Sequence, residues 1–211
     1  MKMRSYVTVA VGLFCIIALL QGCATSGLVK QWSDTSFRGP SLSNILVVAV
    51  AKDPVKRRVW EDAFVAGLAK LAVNAVPSYR LFPEAIPDSS QMPAAVAQYA
   101  FNGIIVTRRL PKTVSTTYVA GYVSTESETK YSRRRQEFRT YYHDVEHPGY
   151  IDTQKVANRS IDVWTAGADS RPIWSAVSET TEPTTLEDMN RDVVNLVVGD
   201  LLRKGLVIKA K

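Results

Sequence analysis

His143, Asp144, Val145, Glu146 and His147 spell H-x-x-E-H. On a helix that spacing puts two imidazoles on one face beside a glutamate base, the ligand set of a zinc peptidase. Here Pro148-Gly149 follows at once and forbids a helix continuing past the second histidine. The chain has no third histidine, and neither of its two cysteines falls in the part that should fold. The segment therefore reads as a polar loop turning at Pro148. His143, Glu146 and His147 are the only metal candidates, and no resident metal or other cofactor is expected. There is no G-x-S-x-G elbow, phosphate-cradling loop or G-x-G-x-x-G. With no catalytic constellation, the chain is not expected to be an enzyme.

A second cluster has binding rather than catalytic chemistry. Tyr118, Tyr122, Tyr131, Tyr141 and Tyr142 are interspersed with Arg133, Arg134, Arg135 and Arg139. Tyrosine gives rigid amphipathic area and arginine gives forked hydrogen bonds, which is why both are enriched at binding hot spots. From Arg108 to Arg139 eight basic residues face only Glu126, Glu128 and Glu137. The positive charge of the chain is thus local, and it suits an anionic partner: a headgroup, an acidic polymer or an acidic protein face. Alternatively, an exposed hairpin could use its tyrosines to cover its own sheet.

The elements that must position these residues can be read from pattern. Asn44 to Ala51 is an unbroken apolar run, as in a strand buried on both faces. Asp53-Pro54 supplies an N-cap and a proline at the first helical position, so a helix should run from there to about Val73. Val55, Val59, Phe64, Leu68 and Leu71 make its apolar stripe. Arg57, Arg58, Glu61 and Asp62 lie largely off that stripe, on a solvated face with i,i+4 ion pairs or a partner-binding ridge. Pro77 to Pro83 reads as extended. Ser89 or Ser90 can cap a helix ending near Tyr99, and Gly103 begins a strand running into Arg108-Arg109. This order, β-α-β-α-β, belongs to a parallel or mixed sheet.

Residues 111–150 hold six of the nine tyrosines and read as a long hairpin-like insertion, with arms at Val114–Val123 and Tyr131–Tyr142. Gln154–Thr165 and Ile173–Glu179 should pair as an antiparallel hairpin. Thr184-Thr185-Leu186-Glu187 matches a capping box for a last helix to about Lys204. Met189, Val193, Leu196, Val197 and Leu201 form its stripe, and Gly205 its C-cap. Leu206 to Ile208 should be a short strand or docked tail. The fold class is α/β (α+β), one domain over residues 44–211.

The chain opens with Lys2 and Arg4, an apolar run from Val7 to Leu20, and Leu19-Leu20-Gln21-Gly22-Cys23. The run is 14 residues long, short of the ~20 that span a membrane, so it fits a signal h-region. The order resembles a bacterial lipoprotein signal with its lipobox. The resemblance implies a signal peptide over residues 1–22, cleavage between Gly22 and Cys23, and lipid, palmitate included, on Cys23. Cys15 would leave with the signal. Ala24 favours the outer membrane over inner-membrane retention. Residues 23–43 are rich in serine, threonine and glycine, and read as a lipidated tether reaching ~25 Å. Trp32 and Phe37 are expected to dock on the domain.

Trp32-Ser33-Asp34, Phe37-Arg38-Gly39-Pro40, Ile45 to Val50, Arg57/Arg58 with Trp60-Glu61-Asp62, Pro77-Ser78-Tyr79 and Ile173-Trp174-Ser175 span most of the mature chain. Together they resemble a family of uncharacterised bacterial lipoproteins that carries no assigned reaction. The element order is also similar to small α/β envelope domains, such as the N-terminal domain of the Tol propeller protein and the curli secretion lipoprotein. The lipobox, the tether, the basic aromatic insertion and the missing catalytic constellation together point to a lipid-anchored, non-enzymatic binding or assembly module of the bacterial envelope, facing the periplasm. An envelope protein or anionic polymer would be its partner, and nucleic acid would not. An envelope hydrolase and a self-assembling structural lipoprotein remain open.

Overall fold

The computed structural model describes residues 25–183 and 185–209. The signal segment, Gly22, Cys23 and Thr184 lie outside the described residues. The chain divides into two compact units: one runs up to Lys112 and resumes at Val156, and the other is Thr113–Lys155.

The first unit is a mixed sheet with helices on both faces. Strand β2 (Asn44–Val50) pairs in parallel with β3 (Asn74–Pro77) and β4 (Gly103–Arg109). β4 then pairs antiparallel with β8 (Tyr150–Thr165), β8 with β9 (Pro172–Thr181), and β9 with β1 (Thr25–Ser33). The order is β1-β9-β8-β4-β2-β3. Because β2 lies inside the sheet, alternate residues feed two cores. Ile45, Val47 and Ala49 meet helices α1 (Pro54–Ala69) and α4 (Leu186–Arg203). Leu46 and Val48 meet Val96 of α3 (Met92–Tyr99) together with Phe101 and Ile104. That double burial is why β2 is apolar throughout.

Helix α1 starts where its local chemistry says. Asp53 accepts the backbone N–H of Val55 and Lys56, and Pro54 needs no donor there. It ends at Ala69 rather than Val73. Its buried face differs from the apolar stripe: Trp60, Phe64, Gly67 and Leu68 are inside, and Val55 is exposed. Arg57 and Glu61, expected on a solvated face or a ridge, are buried. The Glu61 carboxylate accepts from the Ala49 N–H (3.0 Å), Arg57 Nε (3.1 Å), Ser78 Oγ (2.7 Å) and the Tyr79 N–H (2.8 Å). Arg57 also donates to the Phe82 and Ala85 carbonyls and to Ser78 Oγ. This network ties β2, α1 and the single helical turn α2 (Ser78–Leu81), which stands where an extended segment was expected.

Other boundaries shift for local reasons. Neither Ser89 nor Ser90 caps α3: the Asp88 carboxylate takes the Ser90 and Gln91 N–H groups one turn earlier. Ala100, in the left-handed region at φ 52°, ends that helix. The capping pair of α4 is Thr185 with Asp188, one residue later than the expected box. Leu196 is more exposed than its place in the stripe implied, and Val194 and Val198 are buried instead. Gly67 lets α1 and α4 approach closely, since a Cβ there would lie 2.4 Å from Val194. After Gly205 (φ 70°) the chain docks as a tail, with Leu206 and Val207 buried.

The tether expectation changes most. Residues 25–33 form the edge strand β1, in antiparallel register with β9 from Thr25↔Thr181 to Ser33↔Trp174. Phe37 packs against the core, while Trp32 is half exposed. Trp174 is fully buried, with its Nε1 donating to Asp200 (2.8 Å). Among the described residues no helix is long and apolar enough to cross a membrane.

The second unit is all β. β6 (Tyr122–Ser132) and β7 (Glu137–His147) form a two-stranded antiparallel hairpin, preceded by β5 (Thr113–Val119). The strand expected at Val114–Val123 is β5, which ends at Val119, while the hairpin arms start at Tyr122, eight residues after Val114, and at Glu137 rather than Tyr131. The tip closes through the Arg135 N–H to the Ser132 carbonyl, with Gln136 left-handed (φ 53°).

Candidate functional site

Strand geometry sorts the Tyr/Arg cluster. Pairing runs from Tyr122↔His147 through Lys130↔Arg139 to Ser132↔Glu137, and successive side chains on a strand alternate faces. Tyr122, Tyr141 and Arg139 thus share one face, and Tyr131 and Tyr142 share the other with Phe138. Arg133, Arg134 and Arg135 sit at the tip, and Tyr118 lies on β5. The nine residues do not converge on one pocket. They form a two-sided blade whose aromatics are exposed, with Phe138 76% and Tyr142 73% accessible. Tyr131 and Phe138 meet at 5.0 Å between ring centres, beside the tip.

Part of the basic charge is compensated within the hairpin. Arg139 Nε reaches Glu137 at 2.7 Å and Lys130 reaches Glu128 at 2.7 Å. The Glu128 carboxylate holds Lys130 above its ordinary range. Arg135 sits 4.0 Å from the same Glu137. Arg133 and Arg134 form no ion pair among the described residues and are the free charge of the tip.

The H-x-x-E-H segment is the end of strand β7, not a loop or a helix. His143 and His147 share a face but are four strand residues, about 13 Å, apart, and Glu146 points to the opposite face. His147 stacks on Tyr122 (4.4 Å) and bonds Ser124 Oγ (2.9 Å). The helical geometry that would gather the three ligands is absent. No metal-holding group of three or more such side chains occurs among the described residues.

The first unit holds a second place, which sequence reading missed. Where α1 and α4 begin, the sheet face is uncovered and a cavity of about 240 Å³ opens. Arg159 lines it with Trp60, Arg109, Lys112, Leu186 and Met189. Arg159 is only 8% accessible, and its guanidinium lies 3.6 Å over the Trp60 ring centre. Among the described residues its one hydrogen-bond partner is Thr107 Oγ1, at 3.2 Å. Register sets Arg109 directly opposite Arg159 across β4 and β8, a like-charge pair that opposes folding. Burial, and then Arg109, push the Arg159 guanidinium down to about 9. A signal existed: in β8 the inward row reads Ala157, Arg159, Ile161, Val163, an arginine in an apolar row.

No protein-family model and no curated protein matches this sequence. Solved structures do show a likeness. The PelC dodecamer of Paraburkholderia phytofirmans is 11% identical with a TM-score of 0.42, covering 89% of this chain and 100% of that one. A single-substitution variant of that PelC dodecamer gives 9% identity and a TM-score of 0.43, covering 90% and 100%. A PDZ domain protein of Parabacteroides distasonis gives 10% and 0.33, covering 82% of this chain and 36% of that one.

Proposed function

We propose that this chain is a lipid-anchored binding or assembly module of the bacterial envelope, working without catalysis. In this reading Cys23 carries the lipid, Ala24 sends the protein to the outer membrane, and the β6–β7 blade meets the partner in the periplasm. The observation that carries the binding role is the blade itself. Eleven residue pairs are held in register, yet almost every side chain of β5, β6 and β7 is exposed. A two-stranded hairpin without a buried face is marginal in water, so aromatics kept on both its faces have their use in contact with something else. Tyr131 and Phe138 supply area at the tip, and Arg133 and Arg134 supply uncompensated charge for an anionic surface.

Photocrosslinking in cells from positions 118–142 tests this reading. One discrete adduct, weakened when Arg133, Arg134, Arg135 and Arg139 become glutamate, supports an envelope partner. An adduct of twice the chain mass identifies self-assembly, and no adduct from any position rejects a binding role for the blade. Fatty-acid labelling of the wild type, absent in Cys23→Ala, tests the anchor separately.

A further inference from the structure

We infer that the cavity beside Trp60 binds a small organic anion, a carboxylate or phosphate carried on a body of about monosaccharide size, with Arg159 as its principal anchor. This site belongs to the first unit and does not depend on the role of the hairpin.

The charge distribution argues for an anion. Removing a guanidinium from water is costly unless acceptors replace the water. Arg159 has five donors, of which one meets Thr107, while the Trp60 ring lies beneath the group. No carboxylate forms an ion pair with Arg159, Arg109 or Lys112 among the described residues. Of the cations lining the cavity, Lys56 alone has an acid, Asp53 at 3.4 Å. Three positive groups with no protein counter-charge thus face one space. The forked donors of arginine match a carboxylate or phosphate better than a halide.

The size and remaining walls argue for an organic body. A water occupies about 30 Å³ of liquid, so about 240 Å³ is far more than a bare ion fills. The other lining residues include Leu186, Met189 and Pro183, with the hydroxyl-bearing Ser178 and Thr180 of β9. That is the make-up of a small-molecule site, with apolar walls and a few placed polar groups. Arg109, Lys112 and Thr185 are exposed at the rim, so a ligand can enter from solvent.

The test is thermal-shift and tryptophan-fluorescence titration of the full chain in detergent. The probes are glucuronate, glucose 1-phosphate, inorganic phosphate and, as the neutral control, glucose. The expected result is a saturable rise in unfolding midpoint with glucuronate or glucose 1-phosphate, and none with glucose. Whichever binds tighter identifies the acid group. Charge-assisted hydrogen bonds of this kind set the loss on Arg159→Met at about tenfold or more. Arg109→Gln and Lys112→Gln on the rim should weaken binding too, and they serve if Arg159→Met does not fold. Lys70→Gln, an exposed lysine outside the cavity, should bind as wild type. Equal shifts with glucose, no shift with any anion up to about 10 mM, or undiminished affinity in all three cavity variants overturns the site. Inorganic phosphate binding as tightly as the sugar anions overturns the organic body.

Discussion

Arg57 and Arg159 lie in the same unit and both lose their water on folding, yet the fold treats them in opposite ways. Arg57 is closed in by Glu61, Ser78 and two backbone carbonyls, which take four of its five donors and supply its counter-charge. Arg159 has one hydroxyl, one aromatic ring and a second arginine across the sheet. A satisfied buried ion pair fixes how elements meet and has little left to offer a ligand. A buried cation without an acid keeps donors open to an outside anion. The difference separates structural from functional burial, although both residues are arginines of similar accessibility.

Breaking the satisfied side should have the larger effect. Glu61→Gln leaves Arg57 buried with its counter-charge gone and weakens the bonds to Ala49, Ser78 and Tyr79. Removing one partner of a buried pair costs about 3–5 kcal/mol, read as a drop in the urea midpoint at unchanged slope. Arg57→Met combined with Glu61→Leu should lose clearly less than Glu61→Gln alone, because the pair goes together. If the double variant is the worse of the two, the network contributes more than mutual compensation.

Arg159→Met should act in the opposite direction on stability. It removes an unpaired buried charge and leaves an apolar side chain of similar length on Trp60. A gain of about 1–2 kcal/mol without ligand, about 2–8 °C in midpoint, is expected. The sign of its pH dependence follows from linkage. Arg159 is a base whose folded value falls to about 9, well below the usual guanidinium range, so the unfolded chain holds its proton more tightly. Stability carried by this group therefore rises as pH climbs above about 9, and the cost is fully present below that. The advantage of Arg159→Met should be constant from pH 6 to 8 and smaller at pH 10.5. A variant less stable than wild type at pH 7 would mean that Arg159 is a structural residue like Arg57.

The same contrast explains what could be read from sequence. Strand β2, the Asp53-Pro54 start of α1 and the antiparallel β8–β9 pair were legible because each is written in adjacent residues. The burial of Arg57 and Glu61 was not, since Ala49, Ser78 and Tyr79 reach them from other elements. Strand β1 was hidden for the same reason: its polar residues 25–33 become ordered only through β9, about 150 positions away. In the hairpin the composition was legible but the faces were not, because register decides which tyrosine stands beside which arginine. The cavity needed two facts at once: an arginine in an apolar row, and helices that stop short of covering it.

Rim charges should sharpen the comparison with smaller effects. Arg109→Gln and Lys112→Gln remove exposed cations, so stability should change by no more than about 0.5 kcal/mol. Arg109→Gln also relieves the pair opposite Arg159, and its midpoint should rise slightly. The salt dependence of anion binding should fall in both, as exposed charges act through screened attraction.

The smallest effect on stability is expected at the blade. Arg133, Arg134 and Arg135 changed together to serine touch neither buried arginine, and only Arg135 approaches an acid, Glu137 at 4.0 Å. Exposed pairs of this kind contribute 0–1 kcal/mol, so the urea midpoint should stay within about 0.5 kcal/mol of wild type. Binding of glucuronate or glucose 1-phosphate should be unchanged, because those arginines lie outside the cavity. The crosslink from the blade should weaken in the same protein. That dissociation, with one readout moved and two unmoved, would show two recognition surfaces with separate chemistry. Loss of anion binding in the triple variant would assign the anion to the blade instead, and the unpaired burial of Arg159 would then need another cause.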